Sequence, residues 1–137
     1  MPPEYALVGA ERFARLYPYR SLLDAGVNLS FGSDIPGEIE YDPFQVIYRA
    51  VSRRGIAPKG IAYDLSEALT VEQAVMAYCR GSAYAEHMEE HKGALAPGKL
   101  ADFIALSQDI FATEIERIPE TKVLLTVVGG KVVHSLL

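Results

Sequence analysis

The apolar pattern of this chain changes its period once, near residue 93, and that change limits what it can fold into. Before it, apolar residues recur at helical spacing around one short alternating stretch; after it, the period is two. Residues 1–92 therefore read as helix–strand–helix–helix, and residues 93–137 as three strands. One strand among helices cannot close a parallel sheet, and three strands lie near the lower limit of independent stability. Each part needs cover from elsewhere.

Phe13, Leu16, Leu22, Leu23 and Ala25 carry the first helical pattern, interrupted by Pro18. Proline costs about 3 kcal/mol inside a helix, so two short helices are predicted, over 10–17 and 19–25, the second stopped by Gly26. Val27 to Phe31 alternates and predicts a strand, ending in the breaker-rich run Gly32-Ser33-Asp34-Ile35-Pro36-Gly37. Asp42-Pro43 is an N-cap followed by a first-turn proline. The helix it opens has the inner stripe Phe44, Ile47, Ala50 and Val51, with Gly55 as its stop. After a loop over 55–66, Thr70 and Gln73 form a capping box. It starts a helix that carries Val71, Ala74, Val75, Tyr78, Cys79 and Met88, runs to about Glu90 and stops at Gly93. Strands follow at Ala101–Leu106, Lys122–Val128 and Lys131–Ser135, the last two joined by Gly129-Gly130.

Thirteen Lys and Arg against 18 Asp and Glu leave a net charge of −5. Nucleic-acid binding depends on clustered positive charge, and this balance argues against it. Arg49, Arg53 and Arg54 read as the solvated end of a helix. A single cysteine, Cys79, allows no internal disulfide, and an inward helical position beside Tyr78 makes it a small buried hydrophobe. Val123 to Val128 is too short to span a bilayer, and the first residues lack a signal-peptide layout. These features together predict a cytoplasmic protein with no membrane partner.

Asp34 is the leading candidate for chemistry. It follows an apolar strand, where α/β folds place catalytic groups, and its carboxylate can ligate a cation or act as a general base. A turn-capping aspartate is the plain alternative. Glu38, Glu40 and Asp42 form an acidic loop without calcium-loop spacing, which solvation and helix capping explain. His87 and His91 are four apart on the predicted helix, where both can face one metal, although a polar helix end accounts for them more simply. His134 lies on a strand with no evident partner.

Several runs occur in a telling order. Tyr17-Pro18-Tyr19-Arg20-Ser21-Leu22-Leu23-Asp24-Ala25-Gly26-Val27 leads into Gly32-Ser33-Asp34-Ile35-Pro36, then Asp42-Pro43-Phe44 and Ala50-Val51-Ser52-Arg53-Arg54. Leu69-Thr70-Val71-Glu72-Gln73-Ala74 leads to Tyr78-Cys79-Arg80-Gly81-Ser82-Ala83-Tyr84-Ala85. Lys92-Gly93-Ala94-Leu95-Ala96-Pro97-Gly98-Lys99-Leu100-Ala101-Asp102-Phe103 and Val128-Gly129-Gly130-Lys131-Val132-Val133 close the series. From about residue 9 to 134 the chain resembles the C-terminal part of metal-dependent amidohydrolases, the amidohydrolase-3 (YtcJ-like) branch.

The resemblance implies an α/β fold: the last strand of a TIM barrel at Val27–Phe31 with its flanking helices, plus strands of a small composite β-sandwich from Ala101 onward. It makes Asp34 a metal ligand and proton shuttle, with zinc or another divalent metal as the family's cofactor. It makes Pro97-Gly98-Lys99 and Asp102 a structural turn. A complete barrel needs about 250 residues, and the family's His-x-His pair is absent here. Two readings follow. The chain is a fragment or split part of a hydrolase of non-peptide carbon–nitrogen bonds, inactive alone and paired with a missing N-terminal half. Alternatively, it is a non-catalytic module that covers its open surfaces as a homo-oligomer.

Overall fold

A computed structural model describes residues 3–13, 15–34, 42–54 and 63–137. Helix α1 spans Pro3–Phe13 and is kinked at Gly9, whose φ of 77° is outside the helical range. It lies earlier than the predicted 10–17, and residues 15–17 form a turn that brings Pro18 to the start of α2, Tyr19–Asp24. Proline is acceptable there because no intrahelical N–H is lost. Gly26, with φ 80°, terminates α2 as expected.

Helix α3, Pro43–Ser52, is the best-anticipated element. The Asp42 side chain accepts a hydrogen bond from the Phe44 amide, Pro43 fills the first turn, and Phe44, Ile47, Ala50 and Val51 are its buried residues. The helix ends at Arg53 in a left-handed conformation, so the cap falls before Gly55, which lies outside the described residues. The acidic positions Glu38 and Glu40 also lie outside them.

A 3-10 turn at Leu65–Glu67 precedes α4, Val71–Met76, whose Thr70–Gln73 capping box has both of its hydrogen bonds. The helix widens into a π-turn at Ala77–Gly81 and resumes as α5, Ser82–Ala85. It ends well before the predicted Glu90. His87 takes a left-handed φ of 57°, and the Met88 amide turns back to the Ala83 carbonyl at 2.9 Å, which closes the helix end.

Strands β1 (Phe103–Leu106), β2 (Val123–Val128) and β3 (Lys131–Ser135) form an antiparallel sheet in the order β1-β2-β3. They agree with the sequence reading to within two residues. Phe103 pairs with Val127 and Thr126 with His134, and Gly129-Gly130 turns β2 into β3 at positive φ. Asp102 accepts a hydrogen bond from the Gly129 amide at 2.6 Å and ties the entry of β1 to that turn.

The predicted strand over residues 27–31 pairs with no other strand among the described residues. A strand is formed by pairing with at least one neighbour, and this segment has none there. Its alternation survives only as packing: Leu29 and Phe31 lean on the core, whereas Val27 is exposed.

The core joins both parts of the chain. Phe44, Ile47, Ala50 and Val51 of α3 meet Leu69, Ala74, Ile110 and Ile118, with Leu106 and Val123 against them. Ile118 comes from a 3-10 segment, Ile115–Glu120, between β1 and β2 and is fully buried. Burial of such a side chain contributes about 1.5–3 kcal/mol.

Candidate functional site

Asp34 ends the described segment that runs from Val27. It is exposed and has a φ of 53°, a left-handed conformation that aspartate tolerates better than most residues. Three residues earlier the chain is anchored at Phe31. The Phe31 amide donates to the Ala77 carbonyl at 3.2 Å, and the Phe31 carbonyl accepts from the Ser82 hydroxyl at 2.9 Å. The Phe31 ring meets Tyr19 and Tyr78 edge-on, with centroids 5.3 and 6.1 Å away.

The other candidates do not join Asp34. Asp42 is occupied as the N-cap of α3. His87 and His91 are both exposed, and the helix ends before them, so the i,i+4 arrangement that would aim two rings at one ion is not formed. His134 is exposed on β3. Cys79 is exposed rather than inward-facing, because the π-turn rotates it off the helical stripe. Partial desolvation still raises its thiol pKa, which lowers its reactivity. Among the described residues no three His, Cys, Asp or Glu side chains converge as a metal-binding group. Structural and catalytic zinc sites use three or four protein ligands, a number the described residues do not bring together.

Arg53 is the residue whose place the sequence reading missed. Expected in solvent, it is 2% exposed. Its guanidinium donates to the Leu16 carbonyl at 3.0 Å and the Asp64 carbonyl at 3.1 Å, and lies 5.2 Å from the Tyr19 ring centroid and 5.4 Å from that of Tyr63. Phe13 stacks on Tyr63 at 4.9 Å and Tyr17 meets the same ring edge-on at 5.4 Å. Burial raises the Tyr19 pKa, the Arg53 charge opposing that rise in part. The only signal in the sequence was the nearby tyrosines, whose faces suit a guanidinium.

Three buried polar atoms, Tyr78 Oη, Gln45 Oε1 and Glu89 Oε2, have no hydrogen-bond partner among the described residues. Burial raises the Tyr78 pKa, and the Asp42 carboxylate adds to that. A separate groove of about 910 Å³ runs between the end of α2 and the α4–α5 helix, lined by Leu23, Leu29, Met76, Arg80 and Tyr84 among others. Its acidic side chains Asp24, Glu72 and Glu89 are matched by Arg80, Lys92 and Lys99, so it has no strong bias of charge. Asp34 is not part of it.

Helices and a three-stranded antiparallel sheet make this a mixed α and β chain. The chain belongs to the amidohydrolase family, which it matches over residues 4–134. It is 33% identical over 129 residues to YtcJ of Bacillus subtilis (strain 168), named as an amidohydrolase, covering 93% of this chain and 24% of that protein. It is 34% identical over 116 residues to the N-substituted formamide deformylase of Arthrobacter pascens, covering 85% of this chain and 21% of the deformylase. Protein LONG AFTER FAR-RED 3 of Arabidopsis thaliana is 37% identical over 126 residues, 90% of this chain and 21% of that protein. No solved structure matches. The chain thus spans between a fifth and a quarter of the length of these relatives.

Proposed function

We propose that this chain is one segment of a hydrolase acting on carbon–nitrogen bonds other than peptide bonds, inactive as an isolated polypeptide, with Asp34 as its contribution to the catalytic centre. The observation that carries this reading is the family match over residues 4–134 in a chain that spans only about a fifth to a quarter of its relatives. The Asp34 carboxylate is exposed, and among the described residues no cluster of ligating side chains forms. A carboxylate so placed can accept a proton from an attacking water. The zinc or other divalent metal that the family resemblance implies would need further donors, brought by another chain or a longer form of this one. The deformylase among the relatives supports a substrate with an amide-type carbon–nitrogen bond. The lone cysteine suits a reducing, cytoplasmic setting. No helix of the described residues is long and apolar enough to cross a membrane.

Metal analysis of the purified chain after exposure to zinc at neutral pH tests this reading. The expected result is no stoichiometric zinc and no hydrolysis of an N-substituted formamide. One zinc per chain, lost in Asp34→Ala, or turnover by the chain alone, overturns it.

A second reading, a non-catalytic self-associating module, is favoured by one observation. The described sheet exposes large apolar side chains, Ile104, Val128, Val132 and Val133 among them.

A further inference from the structure

We propose that Ser82, together with Gly81, positions Asp34: the π-turn grips the peptide of Phe31 and fixes the direction in which the chain leaves toward the carboxylate. The proposal rests on the reading of Asp34 as the site's carboxylate.

An extended segment without a neighbouring strand must find other partners for its backbone groups. Here the helix supplies them. The Ala77 carbonyl accepts from the Phe31 amide at 3.2 Å, and the Ser82 hydroxyl donates to the Phe31 carbonyl at 2.9 Å. Both polar groups of one residue are therefore held by two helical residues five apart in sequence. The Ser30 hydroxyl donates to Ser82 Oγ at 3.4 Å, and the Ser82 proton has the Phe31 carbonyl at 2.9 Å as its nearer acceptor, with the Ala77 carbonyl at 3.4 Å.

This grip requires the helix backbone to approach the segment closely. A Cβ at Gly81 would lie 1.8 Å from the Leu29 carbonyl oxygen and 2.9 Å from its carbon. Any side chain there pushes the segment away, so glycine is the residue that permits the contact. The π-turn at Ala77–Gly81 contains both Gly81 and the accepting Ala77 carbonyl, and π-turns recur at functional sites.

Between Phe31 and Asp34 stand only Gly32 and Ser33. Nothing lies within 4 Å of where a Gly32 Cβ would be, so packing at that position adds no restraint. Phe31 is fixed at its amide, its carbonyl and its ring, three residues before the carboxylate. Ser82 touches no reacting group and acts through Phe31.

The test is amide NMR of the whole 137-residue chain as wild type, Ser82→Ala and Ser82→Thr. In Ser82→Ala the Phe31 carbonyl loses its donor while the Phe31 amide keeps the Ala77 carbonyl. The segment should therefore open more often and the Phe31 amide exchange about fivefold faster, the change expected for one lost hydrogen bond acting through a shared opening. The order parameter of the Asp34 amide should fall and its resonance shift, while amides of α3 exchange as in wild type. Ser82→Thr keeps the hydroxyl and should restore both signals at Asp34. An unchanged Asp34 amide in Ser82→Ala, or a failure of threonine to restore it, overturns the proposal. Neither result touches the functional reading, which falls instead if the isolated chain retains zinc or turns over substrate.

Discussion

Arg53 shows how much one residue can organise. A buried arginine must have its donors satisfied, and here two carbonyls and two tyrosine faces do so from distant parts of the chain. Leu16 belongs to the turn before α2, and Asp64 precedes the 3-10 turn, so the guanidinium pins both to the end of α3. Arg53→Ala leaves two carbonyls without their donor and should cost about 3 kcal/mol. That corresponds to a fall of roughly 10 °C in the thermal midpoint, read by calorimetry. Lysine should rescue little, because a point charge cannot reach both carbonyls from one planar fork. Gly81→Ala is expected to be harsher than a surface change by several kcal/mol, since the obstruction is the Leu29 backbone rather than a side chain that can swing aside. Urea midpoints of the two variants check both expectations.

At the scale of elements, stability is concentrated at helix starts and at one acidic junction. Thr70→Ala removes the side-chain half of the α4 capping box and should cost about 1 kcal/mol, measured by urea unfolding. Glu67 accepts from the Ser21 amide and hydroxyl at the start of α2. Those bonds, the hydroxyl's first, hold its carboxyl below the ordinary value of 4.5, and the Ser66 amide and hydroxyl hold Asp64 below 3.8. A carboxylate with a depressed folded-state pKa stabilises the fold above its unfolded value and ceases to do so as pH falls through the folded one. Stability should therefore decline as the medium is acidified below the ordinary carboxylate range, and Glu67→Gln should flatten part of that slope in urea titrations at stepped pH. Helix starts were also what the sequence displayed best. Asp42-Pro43 and Thr70–Gln73 are local signals whose partners lie within three residues, and the stripe of α3 depends only on period. The hairpin after Gly129-Gly130 is local in the same way. The predicted strand at 27–31 has no ladder among the described residues, because a strand is defined by neighbours and alternation alone does not supply them. The helix from Thr70 ends early because the Schellman-like turn at His87 has no distinctive residue type. Ile118 went unnoticed because a six-residue 3-10 segment has too short a pattern to show a period. Asp34 was legible as a candidate from its place after an apolar run, whereas the grip of Ser82 on Phe31 spans 51 residues of sequence and has no local trace.

At the scale of the whole molecule, the sheet carries large apolar side chains in the open, and their distribution suggests how they are covered. The outer edge of β3 is a poor candidate, because the register irregularity between Thr126 and Val127 twists it, a device that protects edges. The sheet face that carries Ile104, Thr126 and His134 in one cross-strand row is a better one. Ile104 is 49% exposed, and Val128, on the same side of β2, is 52% exposed. Two such faces packing across a two-fold axis would bury apolar side chains on both copies without bringing acidic groups together. The purified chain should therefore sediment as a concentration-dependent dimer. Ile104→Lys combined with Val128→Lys should shift it to monomer, because a self-complementary interface would then bury four unpaired ammonium groups, two from each copy. Circular dichroism should remain that of the parent, since both positions are already half in water. A dilute parent chain that sediments as a monomer at every concentration would sink the idea that a second copy covers this face. It would leave a different polypeptide, one that completes the amidohydrolase, as the partner the surface fits.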